Sequence, residues 1–128
     1  MFAHISVGVS NFTKSLKLYD RLMEALEYER LFGEEDGEFM AYGPEDSFFI
    51  INTPLKPDRA PVTCNNGGHI CLNAPSTKHV DIFYKTALEL GATDAGPPGL
   101  RPHYSDNYYA AFIFDYDGNK IEAMARAI

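Results

Sequence analysis

Two stretches of this chain, 65 residues apart, carry one pattern in one register. His4-Ile5 stands over His69-Ile70, Leu18-Tyr19 over Phe83-Tyr84, and Met23-Glu24 over Leu88-Glu89, with no gap needed. Self-similarity at a fixed spacing marks a structural unit used twice, and it restricts the fold more than any single element does. The chain is therefore read as two copies of a strand, a helix and three further strands.

Each copy shows the hydrophobic periods that unit needs. Residues 2–9 alternate, with Ala3, Ile5, Val7 and Val9 on one side and Phe2, His4, Ser6 and Gly8 on the other, as in a half-buried strand. Ser10-Asn11 offers a helix cap, and Phe12, Leu16, Tyr19, Met23 and Leu26 then recur at helical spacing. Short strands are expected at 28–32, 39–42 and 47–53, separated by turns at 33–37 and 43–46. Pro54, Pro57, Pro61 and Asn65-Asn66-Gly67-Gly68 make residues 54–67 a linker between modules 1–53 and 68–128 of a single domain.

The second copy repeats the order. Residues 69–74 alternate, Ser76 can cap a helix running to Leu90, and Gly91 ends it. Gly96-Pro97-Pro98-Gly99 reads as an irregular stretch. The chain closes with strands at 108–114 and 120–126 around Asp115-Tyr116-Asp117-Gly118-Asn119, which is a hairpin turn. It is no calcium loop, since Arg126 stands where the bidentate Glu would be required.

Composition narrows the function classes. With 128 residues, 45% hydrophobic and 13% aromatic, the chain has enough apolar material for one folded domain. A formal charge of −7 argues against nucleic acid as a partner, because phosphate binding needs clustered Lys and Arg. No apolar run is long enough to span a membrane. Cys64 and Cys71 lack CxxC spacing, and no export leader is visible, so reduced thiols and a cytoplasmic location are expected.

Chemistry is suggested by three polar side chains on strands. The aliphatic sides of 2–9 and 69–74 must face their helices, so His4 and His69 point to the opposite side of the sheet. In the last strand Ile121, Ala123 and Ala125 face the helix, while Lys120, Glu122, Met124 and Arg126 share the other side. Each of these polar groups alone would be a solvated or hydrogen-bonded residue. Together, two imidazoles and one carboxylate with open positions make a facial triad for a divalent metal such as Fe(II) or Mn(II). Tyr104, Tyr108, Tyr109, Phe112 and Phe114 are candidates to line a cup, and Arg101 to hold an anionic substrate.

His4-Ile5, Ser10-Asn11, Leu18-Tyr19, Gly68-His69-Ile70 and the run Tyr116-Asp117-Gly118-Asn119-Lys120-Ile121-Glu122 carry a resemblance across nearly the whole chain. It resembles the vicinal oxygen chelate superfamily of glyoxalase, bleomycin-resistance and extradiol dioxygenase proteins. Residues 98–104 with 108–112 look like one subgroup of small glyoxalase-like proteins. The resemblance implies an α+β fold of two βαβββ modules, a curved mixed sheet forming a half-barrel cup with the helices on its convex face. It implies a divalent metal (Fe, Mn, Ni or Zn) on His4, His69 and Glu122, a small-molecule substrate, and isomerase, lyase or dioxygenase chemistry.

A homodimer is expected. Glu122 and His103 are the expected catalytic groups, and Arg101, Tyr104 and Tyr109 the expected substrate contacts. Glyoxalases carry a fourth ligand on the last strand of module one. Here Ile51 or Asn52 falls at that place, which weighs against glyoxalase activity itself. The alternative is a metal-free protein that sequesters a ligand, for which the acidic surface suggests a cationic drug.

Overall fold

The computed structural model describes residues 1–54 and 60–128; residues 55–59, part of the expected linker, lie outside the described residues. The order is β1 (His4–Gly8), α1 (Phe12–Ala25), β2 (Arg30–Gly33), β3 (Phe39–Tyr42), β4 (Phe48–Asn52). It continues β5 (Ile70–Asn73), α2 (Thr77–Glu89), β6 (Thr93–Leu100), β7 (Tyr108–Phe114) and β8 (Lys120–Arg126). Each module is βαβββ, and the fold is α+β. Each builds its own four-stranded mixed sheet, ordered β1-β4-β3-β2 and β5-β8-β7-β6, with the first strand parallel to the last.

The expected strands at 108–114 and 120–126 are β7 and β8. The Gly96-Pro97-Pro98-Gly99 stretch, expected to be irregular, lies within β6. This strand is the edge of its sheet and pairs with β7 through two register shifts. Pro97 and Pro98 fall in the shift between Gly96 and Gly99, where β6 has no paired partners on β7, so their missing N–H groups remove no ladder bond.

One core serves both modules. Leu16, Tyr19, Leu22 and Met23 of α1 join Val80, Phe83 and Ala87 of α2 over the inner sides of both sheets, including Ile51, Ile113, Ile121 and Ala123. These side chains recur at period 3.6 in the helices and period 2 in the inner strands, so one apolar side of both helices and of β3, β4, β7 and β8 is consumed here. At about 25 cal/mol per Å² of apolar surface buried, this shared core is the main source of stability.

The turn after β7 fastens the modules together. Asp115 accepts the Tyr19 hydroxyl at 2.6 Å, the backbone N–H groups of Asp117 and Asn119, and the Asn119 amide. Asn119 also donates to the Gly8 carbonyl, and Ser10 N–H donates to Asp117. Burial first, and the neighbouring Asp115 carboxylate second, push the Tyr19 phenol well above its ordinary range. The acidic turn is thus a clasp in which both Asp115 oxygens and Asp117 Oδ1 hold internal donors, while Asp117 Oδ2 is buried without a partner among the described residues.

Both helices are capped as the sequence suggests, with one difference. Asn11 accepts Lys14 N–H at 3.1 Å. Ser76 occupies the corresponding place at α2, but its hydroxyl meets His79 Nδ1 at 2.7 Å instead of a backbone N–H. His79 Nε2 in turn lies 3.3 Å from Glu27, which joins the start of α2 to the end of α1.

Candidate functional site

The site grows from the pleat of the second sheet. Successive side chains alternate across a strand, and Ile121, Ala123 and Ala125 are taken by the core. Glu122 therefore points to the opposite, concave side. Register places it between Cys71 on β5 and Phe112 on β7. His69, two residues before Cys71, lies on the same side. A second, smaller apolar cluster of Ala110, Phe112 and Met124 floors this surface, flanked by Tyr108 and Ala95.

Glu122 is the unusual member, a carboxylate left only 1% exposed. A buried charge is tolerated only when its oxygens are satisfied. His69 Nε2 stands 2.9 Å from Oε1, and the Tyr108 hydroxyl donates to Oε2 at 2.5 Å. Burial, then the bond to Glu122, pushes the Tyr108 phenol above the ordinary tyrosine value, so it stays a donor. Cys71 is exposed as a residue, yet its sulfur lies 3.6 Å from the Tyr108 hydroxyl. Desolvation there pushes the thiol up to about 12, so it is a neutral thiol at neutral pH and a poor nucleophile.

The other expected site residues fall in different places. His4 is on β1, its ring stacked on Phe48 with centroids 5.1 Å apart. Clefts open at the two ends of the seam where β1 meets β5. One, of about 360 Å³, has His4 with Cys71 and Asn73 in its wall. The other, of about 370 Å³, has Ser6, Gly8, His69 and Lys120. His4 and His69 thus line opposite ends, and among the described residues no three His, Cys, Asp or Glu side chains are grouped to hold an ion. The chain brings His69 and Glu122 together and leaves His4 apart.

Tyr109 requires a correction. It packs against the main core on the convex side and donates to Asp81 of α2 at 2.5 Å, so it does not line the concave face. Its neighbour Tyr108 takes that place, by the parity of the strand. Tyr104 is exposed and edge-on to Tyr108 at 5.0 Å, and the His103 ring lies tilted against Tyr104 at 4.3 Å. His103 therefore touches the loop aromatics and not Glu122. Arg101 lies over the Phe112 ring, 5.5 Å from its centroid, and donates to the Gly99 and Pro97 carbonyls.

The repeat locates the counterpart of Glu122. Ser6 is opposite Ile50 as Cys71 is opposite Glu122, so the equivalent residue is Ile50, not Ile51 or Asn52. The first sheet offers no carboxylate at that place.

The sequence pattern of the Glyoxalase/Bleomycin resistance protein/Dioxygenase superfamily matches residues 1–123. The chain belongs to this superfamily. A glyoxalase/bleomycin resistance protein from Albidiferax ferrireducens T118 is similar at 32% identity, over 98% of this chain and 99% of that one, with a TM-score of 0.87. Among solved relatives sharing the glyoxalase-superfamily fold, a glyoxalase-related enzyme from Fulvimarina pelagi has a TM-score of 0.73 at 16% identity, over 97% and 86% of the two chains. A point mutant of FosX from Listeria monocytogenes, a fosfomycin resistance protein crystallised with Mn(II) and 1S,2S-dihydroxypropylphosphonic acid, has 0.66 at 14%, over 100% and 91%. No curated protein matches the chain.

The donor set meets in part what the divalent metal implied by this superfamily requires. Two ligands about 2.1 Å from one ion at a right angle stand about 3 Å apart. His69 Nε2 and Glu122 Oε1, at 2.9 Å, meet that spacing. The same 2.9 Å is an ordinary hydrogen-bond distance, and the trio with His4 is not assembled within the chain. No helix among the described residues is long and apolar enough to cross a membrane.

Proposed function

We propose that this glyoxalase-superfamily chain is a metal-assisted enzyme acting on a small molecule with adjacent oxygens, by isomerase, lyase or dioxygenase chemistry. The carrying observation is the buried Glu122 carboxylate facing His69 Nε2 at ligand spacing on the concave side of β8. His69 and Glu122 would hold the ion, which supplies Lewis acidity toward paired substrate oxygens. His4 is the third ligand and comes from a second copy of the chain, since its own sits at the far end of the seam. The working form is then a homodimer.

The protein groups do the rest. Tyr108 fixes the Glu122 carboxylate through Oε2 and keeps Oε1 turned to His69. Phe112 and Met124 keep water off the floor, which strengthens every polar contact above it. With Ile50 opposite Ser6, proton transfer rests on Glu122 alone, which favours reactions needing one carboxylate over those needing two.

Elemental analysis of protein purified without chelator tests this. About one equivalent of divalent metal per chain is expected, lost in His69→Ala and in His4→Ala. A second reading, a metal-free protein that sequesters its ligand, is favoured by Glu122 having both oxygens satisfied without an ion. Less than about 0.1 equivalent of metal, with ligand binding indifferent to EDTA, would replace the first reading by the second.

A further inference from the structure

The basic residues of this acidic protein are unevenly spent. Lys120 Nζ lies 5.0 Å from the Phe112 ring centroid and Arg101 Cζ 5.5 Å from the same centroid. The His69 ring is 5.7 Å from it, and Arg126 Cζ is 5.3 Å from the Tyr108 ring. Among the described residues, none of Lys120, Arg101 and Arg126 forms an ion pair with an acid; the ion pairs belong to Arg30, Lys85, His69 and His79. Lys120 and Arg101 thus bring two cations to one aromatic ring, and neither is neutralised by an acid among the described residues.

The seat of Arg101 is built. A Cβ at Gly96 would come within 3.1 Å of Phe112 and 3.3 Å of Arg101 Nη2, and one at Gly99 within 3.3 Å of Arg101 Nη1. The Gly96-Pro97-Pro98-Gly99 stretch thus leaves room for the guanidinium and aims two carbonyls at it. That consumes two of its five N–H donors. Glu122 pairs with His69 and accepts from Tyr108, and it makes no ion pair with Lys120 or Arg101 among the described residues.

We propose that the ligand of this concave face is a small organic anion, its charged group held by Lys120 and Arg101 above Phe112 and its remainder beside Glu122 and His69. The assignment names the substrate class of the site proposed above and rests on that site being the working one. It extends the expectation that Arg101 holds an anionic substrate and goes against the cationic ligand expected under the metal-free alternative. Arg offers a planar fork and Lys a point charge, a combination that suits a carboxylate or a phosphonate.

The test is calorimetric titration of the full chain, metal-free after EDTA, with methylphosphonate and acetate as anionic probes and choline as the cationic one. Methylphosphonate or acetate should bind, whichever is the better matched, and choline should not. Binding should weaken with added salt. Lys120→Met and Arg101→Met should each weaken it about tenfold, while Arg21→Met, on the exposed side of α1, leaves it unchanged. If Arg101→Met melts early, Lys120→Met carries the test, since it removes no hydrogen bond among the described residues. Binding of the anion at wild-type strength to Lys120→Met, or binding of choline alone, would overturn the proposal. Metal content is read on the same preparations before EDTA. A chain that holds metal but no anion sinks this inference only, and one that holds anion but no metal sinks only the metal reading.

Discussion

Tyr108→Phe isolates the contact on which the concave site depends. The change keeps the ring against Tyr104 and removes one oxygen, the one that donates to Glu122 Oε2 at 2.5 Å. A hydrogen bond to a charged group contributes about 1.5–3 kcal/mol, and an acceptor left unsatisfied in a dry place costs on that order. Glu122 is buried, so water cannot easily replace the phenol; Tyr108 itself is only half-buried, which argues for the lower half of that range. The expected loss is about 2 kcal/mol, or roughly 6–10 °C in Tm for a domain of this size. Urea unfolding followed by circular dichroism measures it. Tyr104→Phe is the companion, since its exposed hydroxyl makes no hydrogen bond among the described residues, and it should stay within about 0.5 kcal/mol of wild type. In a double-mutant cycle with Glu122→Gln the two changes should couple by about 1–2 kcal/mol. A Tyr108→Phe protein as stable as wild type, or no coupling, would show that the carboxylate is solvated and that its burial is not what organises the site.

Alkaline stability should be limited by phenols. Tyr19 is pushed well above its ordinary value by burial and then by Asp115, and Tyr42 is pushed up by burial and then by its bond to Asp20. A group raised in the folded state contributes stability fully present below its unfolded value, near 10, and lost as pH climbs toward the folded one. Tyrosinate absorbance for these residues should therefore rise together with loss of circular dichroism above about pH 10; early titration with the fold intact would count against it. Glu27 sits just past α1 with φ 65, where α2 has Gly91 at φ 90. Glu27→Gly should gain about 0.5 kcal/mol, relief of a left-handed backbone offset by the exposed contact to His79, and Glu27→Ala should not. Paired thermal melts decide.

How much of this was legible depends on which physical rule governs each residue. Alternation marks 120–126 and 69–74 and sends Glu122 and His69 to the concave side, while 108–114 is a continuous apolar run. Parity also holds the answer for β7. Phe112 is the residue opposite Glu122, so Tyr108 shares its face and Tyr109 cannot, a discrimination that aromatic content alone does not make. Edge strand β6 was hidden because its prolines and glycines mimic a loop, and the register shift they occupy at the sheet's margin makes them tolerable. The separation of His4 from His69 had no local signal at all. Which ends of β1 and β5 meet is set by how the two modules pack, through Tyr19, Asp115 and the shared core, and no periodicity encodes that.

The two sheets then differ on one side and agree on the other. On the core side the copies stayed alike, because both must fill the same interior: Ile5 matches Ile70, Tyr19 matches Tyr84, and aliphatics line both last strands. On the concave side they diverged. Where the second sheet sets Glu122 and Phe112 beside Cys71, the first sets Ile50 and Ala41 beside Ser6. His4 is stacked on Phe48, which meets Phe32 edge-on, and Phe32 meets Phe39 in turn. Phe32 and Phe39 remain 46% and 41% exposed. An aromatic surface of this kind cannot supply proton transfer, but it can exclude water from a polar site laid against it. Within this row of His4, Phe48, Phe32 and Phe39, His4 is the one ring with a proton to exchange or a lone pair to lend.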